Sequence, residues 1–227
     1  MNKYIKDIIK GLSVLILYLL SNFIFALVIS ILGINFNSLP TNIKVITSIL
    51  YEGLIIFLIV LIYHNNFKEN YIDFKMNIVN YISKYIKYWF LTLGLMIISN
   101  MIISNLGVKI ANNEKEVIET FHKLPLYTII TATVLAPILE ESVFRLSIRK
   151  IIKNDYLFII ISGLLFGILH VTSAGSVGQL LYIIPYSIPG WIFAYTLVKS
   201  DNIYIPITLH FIHNSILMIV QIILSFL

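Results

Sequence analysis

Four side chains of the kinds that activate water and stabilise negative charge lie in the second half of the sequence. They are a carboxylate, two imidazoles and an amide: Glu140, His170, His210 and Asn214. A positioned carboxylate or imidazole can act as a general base on water, and donor groups can stabilise a developing oxyanion. The four residues come from three separate apolar segments. We therefore expect three helices to converge around one solvated pocket.

The carboxylate belongs to the run Leu139-Glu-Glu-Ser-Val-Phe-Arg145. On a helix, Glu141 and Arg145 are i, i+4 neighbours with the acid placed first, which is the favourable order. Glu140 points about 100° away from that face. We expect Arg145 to neutralise Glu141 and to leave Glu140 free to face another group. The alternative is that the span ends here and that all three charges lie at the water interface.

The first histidine ends an apolar run that contains two glycines. Phe166 and His170 share a helix face, and Gly163 and Gly167 form a small-xxx-small pair that lets a neighbouring helix approach closely. A lone histidine near a helix end is more often a structural hydrogen-bonding group than a catalyst. Both interpretations of His170 stay open from spacing alone.

The second histidine lies inside the last apolar segment. His210 and Asn214 are i, i+4 neighbours that project together, and His213 lies on another face. Buried polar groups of this kind are costly without partners. This pattern therefore favours a functional role for His210 and Asn214.

The composition indicates a membrane protein. The chain is 59% hydrophobic and 12% charged, with a mean hydropathy of +0.92, whereas soluble domains are roughly 45–50% apolar and about 25% charged. Cysteine is absent, which excludes disulfides, thiolate metal sites and cysteine nucleophiles. The net charge of +5 does not indicate a nucleic-acid partner, because the Lys and Arg residues lie between apolar runs.

The number of membrane spans is predicted from the long runs that contain no charged residue. A spanning helix needs about 20 apolar residues, and the runs predict about seven spans, or eight if one is undetected. The fold class is therefore an all-α polytopic transmembrane bundle. Because water must reach polar side chains inside lipid, we also expect the bundle to enclose a conical polar cavity around the pocket. We expect 1–227 to form a single integral membrane domain, in which the first run is a mature span and 74–88 is an amphipathic helix on the inner face.

The distribution of basic residues predicts the orientation. Cytoplasmic segments are enriched in Lys and Arg, and a cytoplasmic N-terminus gives a multi-pass cell-membrane protein that follows this rule. Twelve of the sixteen basic residues then lie inside: Lys3, Lys6, Lys10, Lys68, Lys75, Lys84, Lys87, Arg145, Arg149, Lys150, Lys153 and Lys199. The Ile-, Asn- and Lys-rich composition favours a bacterial source.

Three motifs in this order resemble those of the CPBP family. They are Glu-Glu-x-x-x-Arg at 140–145, Phe-x-x-x-His at 166–170 and His-x-x-x-Asn at 210–214. The family comprises the type II CAAX prenyl endopeptidases and their bacterial relatives, also called Abi proteins. The resemblance covers about 125–220, the expected catalytic core, and no motif position is substituted. It implies an intramembrane endopeptidase.

The resemblance also implies a role for each motif residue. Glu140 would be the general base on a water that His170 also holds, and His210 and Asn214 would stabilise the tetrahedral oxyanion. The supporting residues would be Glu141, Arg145 and Phe166. The implied partners are membrane lipid and a peptide or protein substrate, prenylated or not, that enters from the membrane or the cytoplasmic side.

Three alternatives remain open on the sequence alone. A zinc ion could be held by His170, His210 and Glu140, since zinc accepts His and carboxylate ligands, although we favour a glutamate-based hydrolase with no required cofactor. The chain could be a non-catalytic bacteriocin self-immunity protein. An ion-coupled transporter would also place acids and histidines at depth, but the polar residues here crowd into one half, unlike repeated halves.

Overall fold

The computed structural model describes residues 2–226, and in that range the chain is helical with no β-strand. The helices, in chain order, are α1 (Lys3–Ile31), α2 (Thr41–Ile62), α3 (His64–Asn105), α4 (Asn112–Lys123), α5 (Pro125–Ile130), α6 (Ala136–Glu141), α7 (Ile148–Ile151), α8 (Asp155–His170), α9 (Ile183–Ser200) and α10 (Tyr204–Leu224). Between these helices lie two π-helical stretches, Thr131–Leu135 and Ser142–Ser147, and two 3₁₀ turns, Phe36–Ser38 and Gly178–Tyr182.

Five of the helices in 2–226 are long and apolar enough to cross a membrane: α1, α2, α3, α9 with its preceding 3₁₀ turn, and α10. Their outward faces are apolar. On α1, for example, Leu19, Phe23 and Ile31 are 62%, 66% and 75% exposed. A continuous apolar surface of this kind suits lipid rather than water. The predicted all-α membrane bundle is confirmed.

Two further predicted spans correspond to shorter or interrupted helices. Helix α8 has 16 residues, or about 24 Å of helix. The other is one helical rod over 125–151, in which α5, α6 and α7 are joined end to end by the two π-helical stretches. The expected total of seven is thus five long helices and these two, whose crossing of the bilayer stays a prediction.

Helix α3 differs from the expected arrangement. The amphipathic segment 74–88 is not a separate helix, because α3 runs without a break for 42 residues. That length is about 63 Å, roughly twice the hydrocarbon thickness of about 30 Å. No proline interrupts the segment, so nothing in the backbone forces a corner before the span. The charged first half of α3 therefore extends beyond the hydrocarbon core or tilts strongly.

The first half of α3 is tied to the turn between α9 and α10. Asn202 is 1% exposed, and its side-chain amide donates to the Asn70 carbonyl oxygen at 2.9 Å and to Asp73 Oδ2 at 2.8 Å. The Ile203 backbone N–H donates to Asn70 Oδ1 at 2.9 Å. These bonds fix the start of α10, the helix that carries His210.

Helices α8 and α9 form an antiparallel pair with very close backbones. A Cβ atom on Gly163 would overlap the Trp191 indole, and one on Gly167 would overlap Ser187 Oγ. A Cβ atom on Gly190 would come within 2.7 Å of the Gly163 Cα. The close approach predicted from the glycine pair is therefore present, with α9 as the partner.

Candidate active site

The two adjacent glutamates end α6, between the two π-helical stretches of the 125–151 rod. A π-helical turn contains an extra residue, and such turns are frequent at functional sites. The second stretch, Ser142–Ser147, is buried at every position, and Ser147 Oγ donates to the Ser142 carbonyl oxygen at 3.2 Å. The 125–151 rod is therefore buried inside the bundle directly after Glu140 and Glu141.

Glu141 and Arg145 form a fully buried ion pair. The Arg145 Nε atom lies 2.8 Å from Glu141 Oε2, and both side chains are 0% exposed. Arg145 Nη2 also donates to Glu141 Oε1 at 3.2 Å. The predicted pairing is present, and for these two charges the alternative of a position at the water interface is wrong. A buried charge requires such compensation.

The guanidinium of Arg145 has two further contacts that the sequence did not indicate. Arg145 Nη1 donates to Ser162 Oγ at 3.0 Å, and that hydroxyl donates to the Phe144 carbonyl oxygen at 2.7 Å. The Phe166 ring lies 5.0 Å from the guanidinium carbon, a cation–π distance. Arg145 thus holds the 125–151 rod against α8.

His210 lies between the two glutamates. Its Nδ1 atom is 2.9 Å from Glu141 Oε1, and its Nε2 atom is 3.9 Å from Glu140 Oε2. A carboxylate only accepts hydrogen bonds, so Nδ1 carries a proton and donates to Glu141. Hydrogen bonding at one ring nitrogen fixes the tautomer and the orientation of the other. Glu141 therefore aims Nε2 of His210 towards Glu140.

The two glutamates are unequal in accessibility. The side chain of Glu141 is 0% exposed, whereas that of Glu140 is 18% exposed. The division expected from helix geometry is present, because Glu141 is occupied by Arg145 and His210 while Glu140 stays reachable. Glu140 is therefore the carboxylate that a water molecule can approach.

His170 ends α8 with one ring nitrogen already engaged. Its Nδ1 atom lies 2.8 Å from the Phe166 carbonyl oxygen, which can only accept, so Nδ1 is the donor. In the neutral ring, Nε2 then has a free lone pair. No carboxylate within residues 2–226 forms an ion pair with His170, so it joins the site through its ring contacts.

Phe166 is the residue that links the two imidazoles. Its ring centroid lies 4.5 Å from that of His170 and 5.8 Å from that of His210, and Phe166 is 3% exposed. Phe193 of α9 contacts the other side of His210 at 5.6 Å. The buried Phe166 ring thus packs between α8 and α10, where it contacts both imidazoles and can support them.

Asn214 lies one turn after His210 and contacts the 125–151 rod. Its side-chain amide donates to the Ala132 carbonyl oxygen at 2.8 Å, within the first π-helical stretch. The amide has a second N–H, which remains for another acceptor. Asn214 therefore both anchors α10 and offers a donor beside His210.

The alternative zinc set does not form a ligand cluster. Within residues 2–226, no three His, Asp or Glu side chains lie close enough to share a metal ion. Nδ1 of His210 and Nδ1 of His170 are both engaged by protein oxygen atoms, which leaves Nε2 of each ring as the nitrogen that could bind a metal. The zinc alternative of Glu140, His170 and His210 stays a prediction.

Two cavities of the described chain lie away from the candidate active site. One of about 370 Å³ is lined by 25–37, at the end of α1, and one of about 500 Å³ by 107–112 and 175–179. Neither is lined by the candidate catalytic residues. The conical polar cavity around Glu140 therefore stays a prediction.

Comparison with known proteins finds similarity in the part of the chain that carries the three motifs. The family described as "Rce1-like: Type II CAAX prenyl endopeptidase Rce1-like" matches residues 122–216, which include all three motifs. A curated relative is "Putative membrane peptidase YdiL" of Bacillus subtilis (strain 168), which is 29% identical over 114 residues. That match covers 49% of this chain and 43% of the relative. No solved structure matches.

Proposed function

Because residues 122–216 match the Rce1-like type II CAAX prenyl endopeptidase family, we propose that the chain is an intramembrane endopeptidase. The observation that carries the proposal is the arrangement around His210. A fully buried Glu141 holds Nδ1 at 2.9 Å, and Nε2 faces the accessible Glu140 at 3.9 Å. The substrate class is a peptide or protein segment associated with the membrane, prenylated or not.

Glu140 is the general base of the proposed reaction. A water molecule next to Glu140 can donate one hydrogen to the carboxylate and the other to the free Nε2 lone pair of His170. Its oxygen lone pair then faces the scissile carbonyl. As the C–O bond forms, the proton passes to Glu140, and the same carboxylic acid later returns it to the leaving amine.

His210 and Asn214 stabilise the oxyanion. The free N–H of the Asn214 amide is one donor. His210 donates through Nε2 only when its ring carries both protons, because Nδ1–H is already committed to Glu141. The Glu141 charge is already paired with Arg145, so the Glu140 carboxylate, 3.9 Å from Nε2, and then the oxyanion itself supply the negative charge that balances such an imidazolium. Preorganised donors of this kind stabilise charge strongly where water is excluded.

We propose a glutamate-based reaction without a required metal, which the donor arrangement supports. A catalytic zinc site needs three protein ligands and an open position for water, and Glu140, His170 and His210 do not form such a set here. Chelation of metals from the purified chain is therefore expected to leave peptide hydrolysis unchanged.

The test compares membrane peptides in cells that express the wild-type chain or the Glu140→Gln variant. Peptides that appear only with the wild type identify substrates, which are then assayed with purified protein. Glu140→Gln, His170→Ala and His210→Ala should each abolish cleavage while thermal unfolding remains cooperative. Glu119→Gln, on the exposed face of α4, serves as the control.

Two outcomes would overturn the proposal. Identical membrane peptide sets with wild type and Glu140→Gln would contradict hydrolysis. Full self-immunity against a bacteriocin in cells carrying any of the three variants, without cleavage by the wild type, would instead favour a non-catalytic binding protein.

A further inference from the structure

The imidazole of His170 is enclosed by two aromatic rings. Phe166, one turn earlier on α8, lies on one side at 4.5 Å with an interplanar angle of 33°. Tyr186 of α9 lies at 4.9 Å with an angle of 27°, a stacked geometry. Phe166 belongs to the three sequence motifs, whereas Tyr186 does not. Tyr186 therefore contacts a proposed catalytic residue, but the motifs assign Tyr186 no role.

Close packing of α8 and α9 places Tyr186 against His170. The absence of side chains at Gly163, Gly167 and Gly190 lets the two backbones meet. Tyr186 directly precedes Ser187, the residue that packs on Gly167, one turn before His170. The position of the Tyr186 ring is thus set by the rigid seam between the helices rather than by a flexible loop.

The start of α4 fixes the connection between α8 and α9. Asn112, the first residue of α4, donates through Nδ2 to the Ser173 carbonyl oxygen at 2.7 Å, and its Oδ1 accepts from Gln179 Nε2 at 3.2 Å. The start of α4 is therefore tied to the 171–182 connection, on which both His170 and Tyr186 border.

The bond from Nδ1 to the Phe166 carbonyl oxygen leaves one freedom in the His170 ring. A single hydrogen bond fixes the direction of Nδ1 but allows the imidazole plane to rock about that bond. The stacked Tyr186 ring restricts this motion, and the close packing of α8 on α9 keeps that ring in place. Near-attack geometry is sensitive to such small displacements.

We propose that Tyr186 is the positioning residue for His170, because its stacked ring holds the imidazole plane. The proposal rests on the proposed function, because the direction of the His170 Nε2 lone pair matters only if it receives the attacking water. Tyr186 itself touches neither water nor substrate. Its effect is on the rate of the chemical step, not on binding of the peptide.

The first test is spectroscopic and requires no activity. Solid-state NMR of the full chain in lipid nanodiscs, labelled with ¹³C,¹⁵N-histidine and assigned with His170→Gln, measures the ¹H–¹³C dipolar coupling at Cε1 of the His170 ring. That coupling should be close to its rigid value in the wild type and Tyr186→Phe, and clearly reduced in Tyr186→Leu, because the imidazole plane can then rock about the Nδ1–H bond. An equal coupling in Tyr186→Leu and the wild type would overturn the proposal, whether or not the chain proves to be a peptidase.

The second test is kinetic and uses a peptide identified by the Glu140→Gln comparison. Tyr186→Leu should lower kcat about tenfold with KM within about twofold, and Tyr186→Phe should restore most of the rate. The matched control is Tyr182→Leu, which removes a buried tyrosine one turn earlier. Equal kcat losses in Tyr186→Leu and Tyr182→Leu would assign Tyr186 a general packing role and overturn the proposal.

Discussion

Glu141 Oε1 lies 2.9 Å from His210 Nδ1, although the two residues are 69 positions apart in the sequence. The same carboxylate group is paired with Arg145 at 2.8 Å. One buried acid therefore performs two tasks, because it compensates the guanidinium and orients the imidazole. Loss of that acid should affect both the stability of the bundle and the chemistry of His210.

Removal of Glu141 should be strongly destabilising. Glu141→Ala leaves the Arg145 charge buried without its partner, which typically costs about 3–5 kcal/mol. Thermal unfolding of the purified variant, followed by circular dichroism, measures the loss. The exposed i, i+4 pair Lys115–Glu119, with side chains 62% and 53% exposed, provides the control. Glu119→Ala should leave stability nearly unchanged, and an equal effect of the two changes would contradict a structural role for the buried pair.

The α8–α9 seam should not accept a methyl group. Gly163→Ala places a Cβ atom into the Trp191 indole, and overpacking of this kind typically costs about 1–3 kcal/mol. Gly94→Ala in α3 is a matched control, since no atom lies within 4 Å of a Cβ there. That control should be neutral or slightly stabilising, as alanine favours helix more than glycine. Equal unfolding temperatures for both variants would show that the two helices are not in close contact.

The tether between α3 and α10 should contribute to stability. Asn202→Ala removes the donor of two hydrogen bonds, to the Asn70 carbonyl oxygen and to Asp73 Oδ2, each worth about 0.5–1.5 kcal/mol. The neighbouring Asp201 has a left-handed backbone with φ of 51°, so Asp201→Gly should be neutral or stabilising. Chemical denaturation of both variants checks this contrast. Equal destabilisation by the two changes would contradict a specific role for the Asn202 side chain.

Asn214 should contribute to the rate of peptide hydrolysis as an oxyanion donor. Asn214→Asp keeps the size of the side chain but removes both amide hydrogens, including the donor to the Ala132 carbonyl. Loss of one oxyanion donor typically lowers kcat by about 10²- to 10³-fold. Gln221→Ala, two turns later on α10, should leave kcat unchanged. A kcat of Asn214→Asp close to that of the wild type, measured on the identified peptide, would remove Asn214 from the oxyanion site.

Local spacing was sufficient to predict contacts within one helix. The pairing of Glu141 with Arg145 follows from the i, i+4 geometry of a helix. The absence of a side chain at Gly163 indicates that α8 can accept a close neighbour, but it does not identify α9 as that neighbour. The composition gave the all-α membrane bundle, since apolar runs of spanning length have few other structures available.

Contacts between helices could not be predicted in the same way. Residue counts from the nearest charged residues place His170 about 8 Å deeper than Glu140 and His210, yet both imidazoles contact Phe166. Such counts ignore where each helix starts and how it tilts. Ser162, Tyr186 and Asn202 also carried no recognisable signal, because their partners are set by helix rotation and by the two π-helical stretches.

The central claim is that Glu140 is the base that activates water for peptide hydrolysis, and kcat of Glu140→Gln tests it most directly. A general base contributes typically 10²- to 10⁴-fold, so the variant should lose at least about a hundredfold with its unfolding temperature unchanged. Glu52→Gln, which alters another acid in a predicted span, should retain the wild-type rate. A Glu140→Gln enzyme that cleaves the identified peptide within about threefold of the wild-type rate would contradict the assignment.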